Sequence, residues 1–297
     1  MKIQSVLIII SVLCSVTSCD IIDAPYRKEI VAPPQEEEDS TSTKRIVLIE
    51  KFTGSSCGPC PEVNQIVQSF NKEYNKRSTV ISYHAGNLSR PNPNEGLPYD
   101  FRTQVGTQIG MDFFNANPLT ISTPTVVLDR LNYGNSNTIT VPRGDIIQKS
   151  IDRVNVESPL NVTLYPWYNP ANRTIEVSGN VVYHQAGTKD YKITLALIEN
   201  DFKSPQKKVD GKIDTSYVHQ FVFRTNIPNF AWGEEVTNQD VSAGTIIPYT
   251  KSLQLPDNVN WNPAKFWVVV YVYKSTDAPI LTREVMQSKS KQVSIVP

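Results

Sequence analysis

The chain has 297 residues, which as a prior is enough for two domains of ordinary size, each with an apolar core. Its 39% hydrophobic and 20% charged residues are the balance of a globular protein, and 29 Lys+Arg against 29 Asp+Glu leave no net charge. With no strong field and no basic cluster interleaved with aromatics, the composition argues against nucleic-acid binding and against charge-driven recruitment to an anionic membrane.

Residues 1–18 read as an export signal: Met1-Lys2 is a charged start, and Ile3 to Val16 is an apolar run too short to span a bilayer comfortably. The run ends in Val16-Thr17-Ser18-Cys19, which resembles the lipobox of bacterial lipoproteins, with Val in the first position where Leu is commoner. That resemblance implies an acylated Cys19 as the first mature residue and a membrane anchor of several acyl chains. The plain alternative is a secretory signal with a Cys near its cleavage site. Residues 19–44 are polar, contain Pro25, Pro33, Pro34 and the acidic run Glu36-Glu37-Glu38-Asp39, and read as a flexible tether. Fully extended, the polar stretch would reach roughly 80 Å.

Residues 45–156 show the order strand, Cys-x-x-Cys turn, helix, strand. Ile46 to Ile49 is a β-branched run, Thr53 to Ser56 a turn into Cys57-Gly58-Pro59-Cys60, and Val63, Ile66, Val67, Phe70 and Tyr74 recur at helical spacing. Val80 to Tyr83 is the second strand. A helix N-terminus presents unpaired N–H groups and partial positive charge, which favour thiolate over thiol. On that reading Cys57 is an exposed attacking thiol and Cys60 the resolving one. An inert disulfide and half of a zinc site are the other readings; zinc wants about four ligands, and the chain has no second Cys pair after the leader and only scattered His84, His184 and His219. His84 ends the second strand, either near the cysteines or, as is commoner for a lone histidine, on polar surface.

Downstream, a helical pattern runs through Phe101, Val105, Ile109 and Phe113. Thr123-Pro124 then opens the apolar strand Thr125 to Leu128, and a helix over 145–154 closes the segment. These motifs resemble thioredoxin-like proteins, in which a cis-proline before such a strand faces the Cys-x-x-Cys turn. The resemblance implies that Thr123 and Pro124 bind an extended substrate. Two positions depart from it. Ser56 stands where Trp precedes the first Cys, and the buried acid six positions before that Cys is Lys51 here, with Glu50 one place earlier as the candidate proton relay if its strand face allows.

Residues 157–297 read as strands at 160–165, 174–183, 191–197, 218–224, 246–255, 266–273 and 285–296, with Ile175, Val177, Gly179, Val181 and Tyr183 on one face. The expectation is an antiparallel, Ig-like β-sandwich after the thioredoxin-like domain, hence α/β plus all-β overall. It holds no catalytic triad, phosphate loop or metal spacing, and the Phe230 to Glu234 loop reads as an ordinary turn anchored by Trp232. The lipobox, Leu48 to Gly54 leading into Cys57-x-x-Cys60-Pro61, the Tyr83-His84 strand end and the β-rich remainder together resemble the outer membrane protein 28-related lipoprotein family. This implies an outer-membrane, lipid-anchored location. Two functions follow as expectations: an envelope thiol-disulfide oxidoreductase acting on protein dithiols or disulfides without a cofactor, or a binding and adhesion lipoprotein holding an envelope partner on a thioredoxin-like scaffold.

Overall fold

The computed structural model describes residues 33, 38–74, 77–115, 117–133, 139–275 and 283–296. The expected signal peptide, Cys19 and most of the expected tether lie outside the described residues. In chain order the first part comprises β1 (Val47–Thr53), α1 (Cys60–Glu73), β2 (Ser78–His84), α2 (Gln104–Phe114), β3 (Thr125–Leu128) and α3 (Ile146–Val154). Then follow β4 (Leu160–Val162), β5 (Tyr165–Asn169), β6 (Thr174–Tyr183), β7 (Tyr191–Glu199), β8 (Phe202–Lys203), β9 (Gln206–Lys207), β10 (Ile213–Asp214), β11 (Val218–His219), β12 (Val222–Asn226), β13 (Glu234–Glu235), β14 (Ile246–Gln254), β15 (Phe266–Lys274), β16 (Val285–Gln292) and β17 (Ser294–Ile295). The protein is therefore mixed α/β, mostly sheet with few helices.

β1 is buried along its whole length, as its VLIEKFT sequence requires of a central strand covered on both faces. It pairs in parallel with β2, from Val47 opposite Ser78 to Thr53 opposite His84, and antiparallel with β3, Phe52 opposite Thr125. Successive side chains point to opposite faces. Val47 and Ile49 pack with Val63, Val67 and Phe70 of α1 and with Ile146 and Val154 of α3. Leu48 and Phe52 pack on the other face with Val105, Ile109 and Phe113 of α2.

The larger sheet does not stop at residue 156. Its order is β16-β15-β7-β12-β2-β1-β3, with β13 added to β7, while the smaller sheet runs β14-β6-β5-β17 with β4 on β6. The junction is narrow: Val222 of β12 pairs in parallel with Ser82, and the Ser82 amide donates to Phe221 O at 2.8 Å. The core beneath α2 accordingly continues into Ala196, Ile198, Phe223, Val269 and Tyr271. The opposite sides of β7 and β15, through Leu195, Leu197, Val268 and Val270, pack against Ile175, Val177 and Val181 of the smaller sheet. The segments expected as 45–156 and 157–297 thus share the larger sheet and the apolar cluster beneath α2.

Three local expectations change. The run expected as a strand over 218–224 is divided into β11 and β12 because Phe221 takes a left-handed φ of 59°. The helical pattern from Phe101 becomes helix only at Gln104, where the Thr103 hydroxyl caps the Gly106 amide at 3.0 Å. Residues 38–44, at the end of the expected tether, lie docked: Glu38 pairs with Lys289 and Lys291 at 2.7 and 3.0 Å, and Thr43 O accepts from Ser158 N at 2.8 Å.

Across the core lies a buried ion pair. Arg130 gives two hydrogen bonds to Glu50, Nε to Oε2 at 2.8 Å and Nη2 to Oε1 at 2.7 Å, and both side chains are fully buried. Tyr271 of β15 accepts from Arg130 at 3.1 Å, and the rings of Phe113, Trp232, Tyr271 and Tyr273 lie 4.9–5.4 Å from the guanidinium carbon. Trp232 of the 230–234 loop is thus an anchor, as its sequence suggested. Substituting Glu50→Leu strands a buried guanidinium and is expected to lower stability by about 3–5 kcal/mol in urea denaturation, whereas Glu50→Leu with Arg130→Met recovers most of it. Equal losses in the single and double variants would contradict this account.

Candidate functional site

The turn between β1 and α1 is fixed by backbone contacts. Cys57 N donates to Gly54 O at 3.1 Å, and Ser56 N to Leu88 O at 2.9 Å. The 86–89 loop comes so close that a Cβ on Gly54 would stand 2.4 Å from Leu88 O. The helix starts at Cys60, whose amide donates back to Cys57 O at 3.2 Å. The two cysteines are disulfide-bonded, with Cα atoms 5.4 Å apart. Thr123 and Pro124, joined by a cis peptide, precede β3, so the Phe52–Thr125 register brings them to the sheet end that carries this turn.

The disulfide is not exposed, contrary to the expectation for Cys57: Cys57 is 0% and Cys60 3% accessible. What covers it comes from far along the chain. Lys207 N of β9 donates to Ser55 O at 2.9 Å, and the Gln206 amide donates to Gly54 O at 3.2 Å and Cys57 O at 3.0 Å. At Gly58 the backbones nearly touch, since an added Cβ would stand 3.0 Å from Lys208 O. The β9–β10 hairpin therefore lies on the cysteine turn as a cap.

Below the disulfide is a polar cavity of about 10 Å³, the size of one water, lined among others by Lys51, Cys60, Asn64, His84, Tyr217 and His219. Lys51 Nζ donates to Asn64 Oδ1, and Asn64 Nδ2 donates to the half-buried Tyr217 hydroxyl at 2.9 Å. Burial pulls the Lys51 ammonium down to about 7. His84 is buried rather than a surface residue; it stacks on Phe101 with ring centres 4.3 Å apart. Burial, then the neighbouring His219 and Lys51, hold it well below the ordinary histidine value. His219 donates from Nε2 to Ser204 O at 3.1 Å and is brought down to about 4, chiefly by burial. Both rings are consequently neutral at pH 7. Among the described residues no group of three or more His, Cys, Asp and Glu side chains could hold a metal ion.

Glu50, the sequence candidate for proton relay, is on the wrong face. Strand alternation sends it toward Arg130 and leaves Lys51 on the α1 side with Cys60. Asn64, Gln206, Tyr217 and His219 were not assigned to the site from sequence: Asn64 lies one turn after Cys60 on α1, and the other three join the site only through the shared sheet and its hairpins. The one linear signal was Lys51, a lysine inside a strand otherwise of core type.

These features define a mostly-sheet α/β protein with a capped Cys-x-x-Cys disulfide at a helix start. The model of the family Outer membrane protein Omp28 matches residues 114–294, more than half of the chain, and the protein belongs to that family. Family membership places it at the outer membrane of the cell envelope. Among solved structures it is similar to HBP35 of Porphyromonas gingivalis, with TM-score 0.62, 16% identity, and 85% of this chain and 76% of that one covered. A protein of Agrobacterium tumefaciens aligns with TM-score 0.50 and 15% identity over 84% of this chain and 95% of that one. A domain of the outer membrane lipoprotein Omp28 from Porphyromonas gingivalis, 15% identical, covers 47% of this chain and 92% of its own, with TM-score 0.32. No curated protein matches the sequence.

Unfolded, Lys51 titrates near 10.5 and folded near 7, so between these values the unfolded chain holds a proton the folded chain has lost, and stability rises with pH across that window. Lys51→Met removes this penalty. It is expected to raise stability at pH 7 by about 2–4 kcal/mol, with the gain shrinking toward pH 10, as read from urea melts at both values. A destabilised variant at pH 7 would show that the ammonium is well compensated in place.

Proposed function

We propose that this outer-membrane protein is a thiol-disulfide oxidoreductase whose catalytic pair is Cys57 and Cys60. The observation that carries the reading is the Cys57–Cys60 disulfide at the start of α1, with Pro124 at the same sheet end. In this reading residues 45–156 are a thioredoxin-like unit, residues 157–297 a β-sandwich fused to it through the shared sheet, and Thr123 with Pro124 the edge that takes an extended substrate strand. Acylation at Cys19 anchors the chain, and the substrates are proteins of the envelope bearing dithiols or disulfides.

The chemistry is exchange through a mixed disulfide. A substrate thiolate attacks Cys57 Sγ, the Cys57–Cys60 bond breaks, and Cys60 departs with the electron pair. The substrate's second thiolate then attacks its own sulfur in the mixed disulfide and releases Cys57, so two electrons pass from a substrate dithiol to the protein disulfide. Run backward, the same steps reduce a substrate disulfide. Because Cys57 is covered, the β9–β10 hairpin has to lift before attack. Loosening the Gln206 bonds to Gly54 and Cys57 would then speed reaction without touching either sulfur.

Equilibrating the purified protein in glutathione buffers tests this, with Cys57→Ser and Cys60→Ser as controls. A reversible couple is expected, Cys60→Ser should trap mixed disulfides on Cys57, and Gln206→Ala should shorten the reaction time several-fold. A bond that stays closed in every buffer, in the wild type and in Gln206→Ala alike, would leave a structural disulfide and favour the binding and adhesion role.

A further inference from the structure

Lys51 is a buried cation whose partners do not neutralise it. It is 3% accessible, its hydrogen bond goes to the neutral amide of Asn64, and the cavity it faces is lined by no carboxylate. The other deeply buried cations near the core are each matched: Arg130 by Glu50 at 2.7 Å, Arg224 by Glu199 at 2.7 Å and Arg153 by Asp129 at 2.6 Å. An ammonium taken out of water without a counter-charge is costly. On the same cavity wall stands Cys60, the one group there that takes on negative charge as the disulfide is opened by a thiolate.

We propose, building on the oxidoreductase reading, that Lys51 is the proton carrier for Cys60. When a substrate thiolate opens the disulfide, Cys60 Sγ leaves as a thiolate, and the Lys51 ammonium stabilises it and then passes a proton across the cavity, leaving Lys51 as the amine and Cys60 as the thiol. In the reverse direction the amine takes that proton back, Cys60 thiolate attacks Cys57 Sγ, the disulfide re-forms, and the substrate sulfur departs as a thiolate that is protonated by solvent. Lys51 recovers its charge from water by way of the cavity mouth, where Asn64 leads to the half-buried Tyr217. The protons and electrons balance with a substrate dithiol as the only reductant.

The surroundings favour this assignment over a histidine relay. His84 faces Lys51 from β2, His219 from β11 and Tyr217 from the turn before it, while Arg224 of β12 stands beyond with Glu199 as its counter-ion. Both imidazoles are held neutral by burial, and the Tyr217 phenol is pushed upward by the same cause. Lys51 is left as the group in this cavity that changes charge near pH 7. On the opposite face of β1 stands Glu50, which is neutralised by Arg130 from the end of β3.

The test on the intact protein is a pH titration of Lys51 by carbon NMR of its labelled Cε, in the oxidised and the reduced chain. Reduction is expected to raise the Lys51 midpoint by about one pH unit or more, because the Cys60 thiolate then shares the cavity. An identical midpoint in both states overturns the proposal. Independently, in a Cys57→Ser background the ultraviolet absorbance of the Cys60 thiolate should titrate about one unit higher with Lys51→Met, a tenfold loss of thiolate, and remain in place with Lys51→Arg. Lys51→Arg should nevertheless lose the inflection near pH 7 in the exchange rate, because its guanidinium holds its proton. A Cys60 titration indifferent to Lys51→Met sinks the assignment even if the couple is reversible. A pair that takes no electrons from any dithiol while the two titrations remain coupled overturns the oxidoreductase reading itself, and the carrier role with it.

Discussion

Asp129 and Arg130 are consecutive residues at the end of β3, both in the left-handed region, with φ of 44° and 55°. That backbone, unfavourable for residues with a Cβ, sends two adjacent charged side chains into two different parts of the interior. Asp129 accepts from Leu48 N at 2.7 Å and from Arg153 of α3 at 2.6 Å, while Arg153 also holds Glu284 at 2.6 Å. Arg130 turns the other way to Glu50 and into the aromatic rings of Tyr271, Tyr273, Phe113 and Trp232. A buried pair of this kind contributes little net stability over a hydrophobic substitute. What it does supply is registry, because neither charge can be left without its partner, and the partners belong to β1, α3, α2 and β15.

The consequence is that the amino-terminal βαβ unit and the carboxy-terminal strands share a sheet. β16 reinforces the arrangement at the entry end of β1: Ile46 N donates to Gln287 Oε1 at 2.8 Å, Ser288 Oγ to Ile46 O at 2.8 Å, and Arg45 Nη1 to Met286 O at 2.6 Å. At the opposite end of β1 lies the cysteine turn. Docking β12 against β2 there carries the short hairpins of residues 202–219 over the disulfide, with Gln206 on top of it and Tyr217 and His219 below. The site is thus assembled from both halves of the chain, and its burial is a product of the junction.

Burial then sorts the ionisable groups by what each finds as a partner. The arginines keep their charge because carboxylates meet them at hydrogen-bond distance. The histidines near the disulfide find one another, aromatic rings and a carbonyl, and lose their charge. Lys51 meets only the Asn64 amide, on a cavity it shares with Cys60, and burial pulls its ammonium down to about 7. A single polar pocket within apolar walls is in this way both a cost to folding and the chemically responsive part of the core.

Much of the local structure was legible in the chain itself. The FWVVVYVY run is too apolar for anything but a buried strand, the β-branched start of β1 marks another, the spacing of Val63, Val67 and Phe70 makes α1 amphipathic, and Cys57-Gly58-Pro59-Cys60 places two sulfurs close enough to bond at a helix start. These depend on periodicity and on covalent reach, which a linear sequence carries in full. The alternation within β1 even held the answer to which of Glu50 and Lys51 faces the cysteines, once the side covered by α1 was known. Three things required the tertiary structure: the continuity of the sheet across residues 156–157, the cap of residues 206–209 on Cys57, and the poised charge of Lys51. Each depends on contacts between residues 100 or more positions apart, or on the dielectric those contacts create. No local pattern encodes such contacts, because they are selected by the fit of whole elements and by the requirement that buried charges meet.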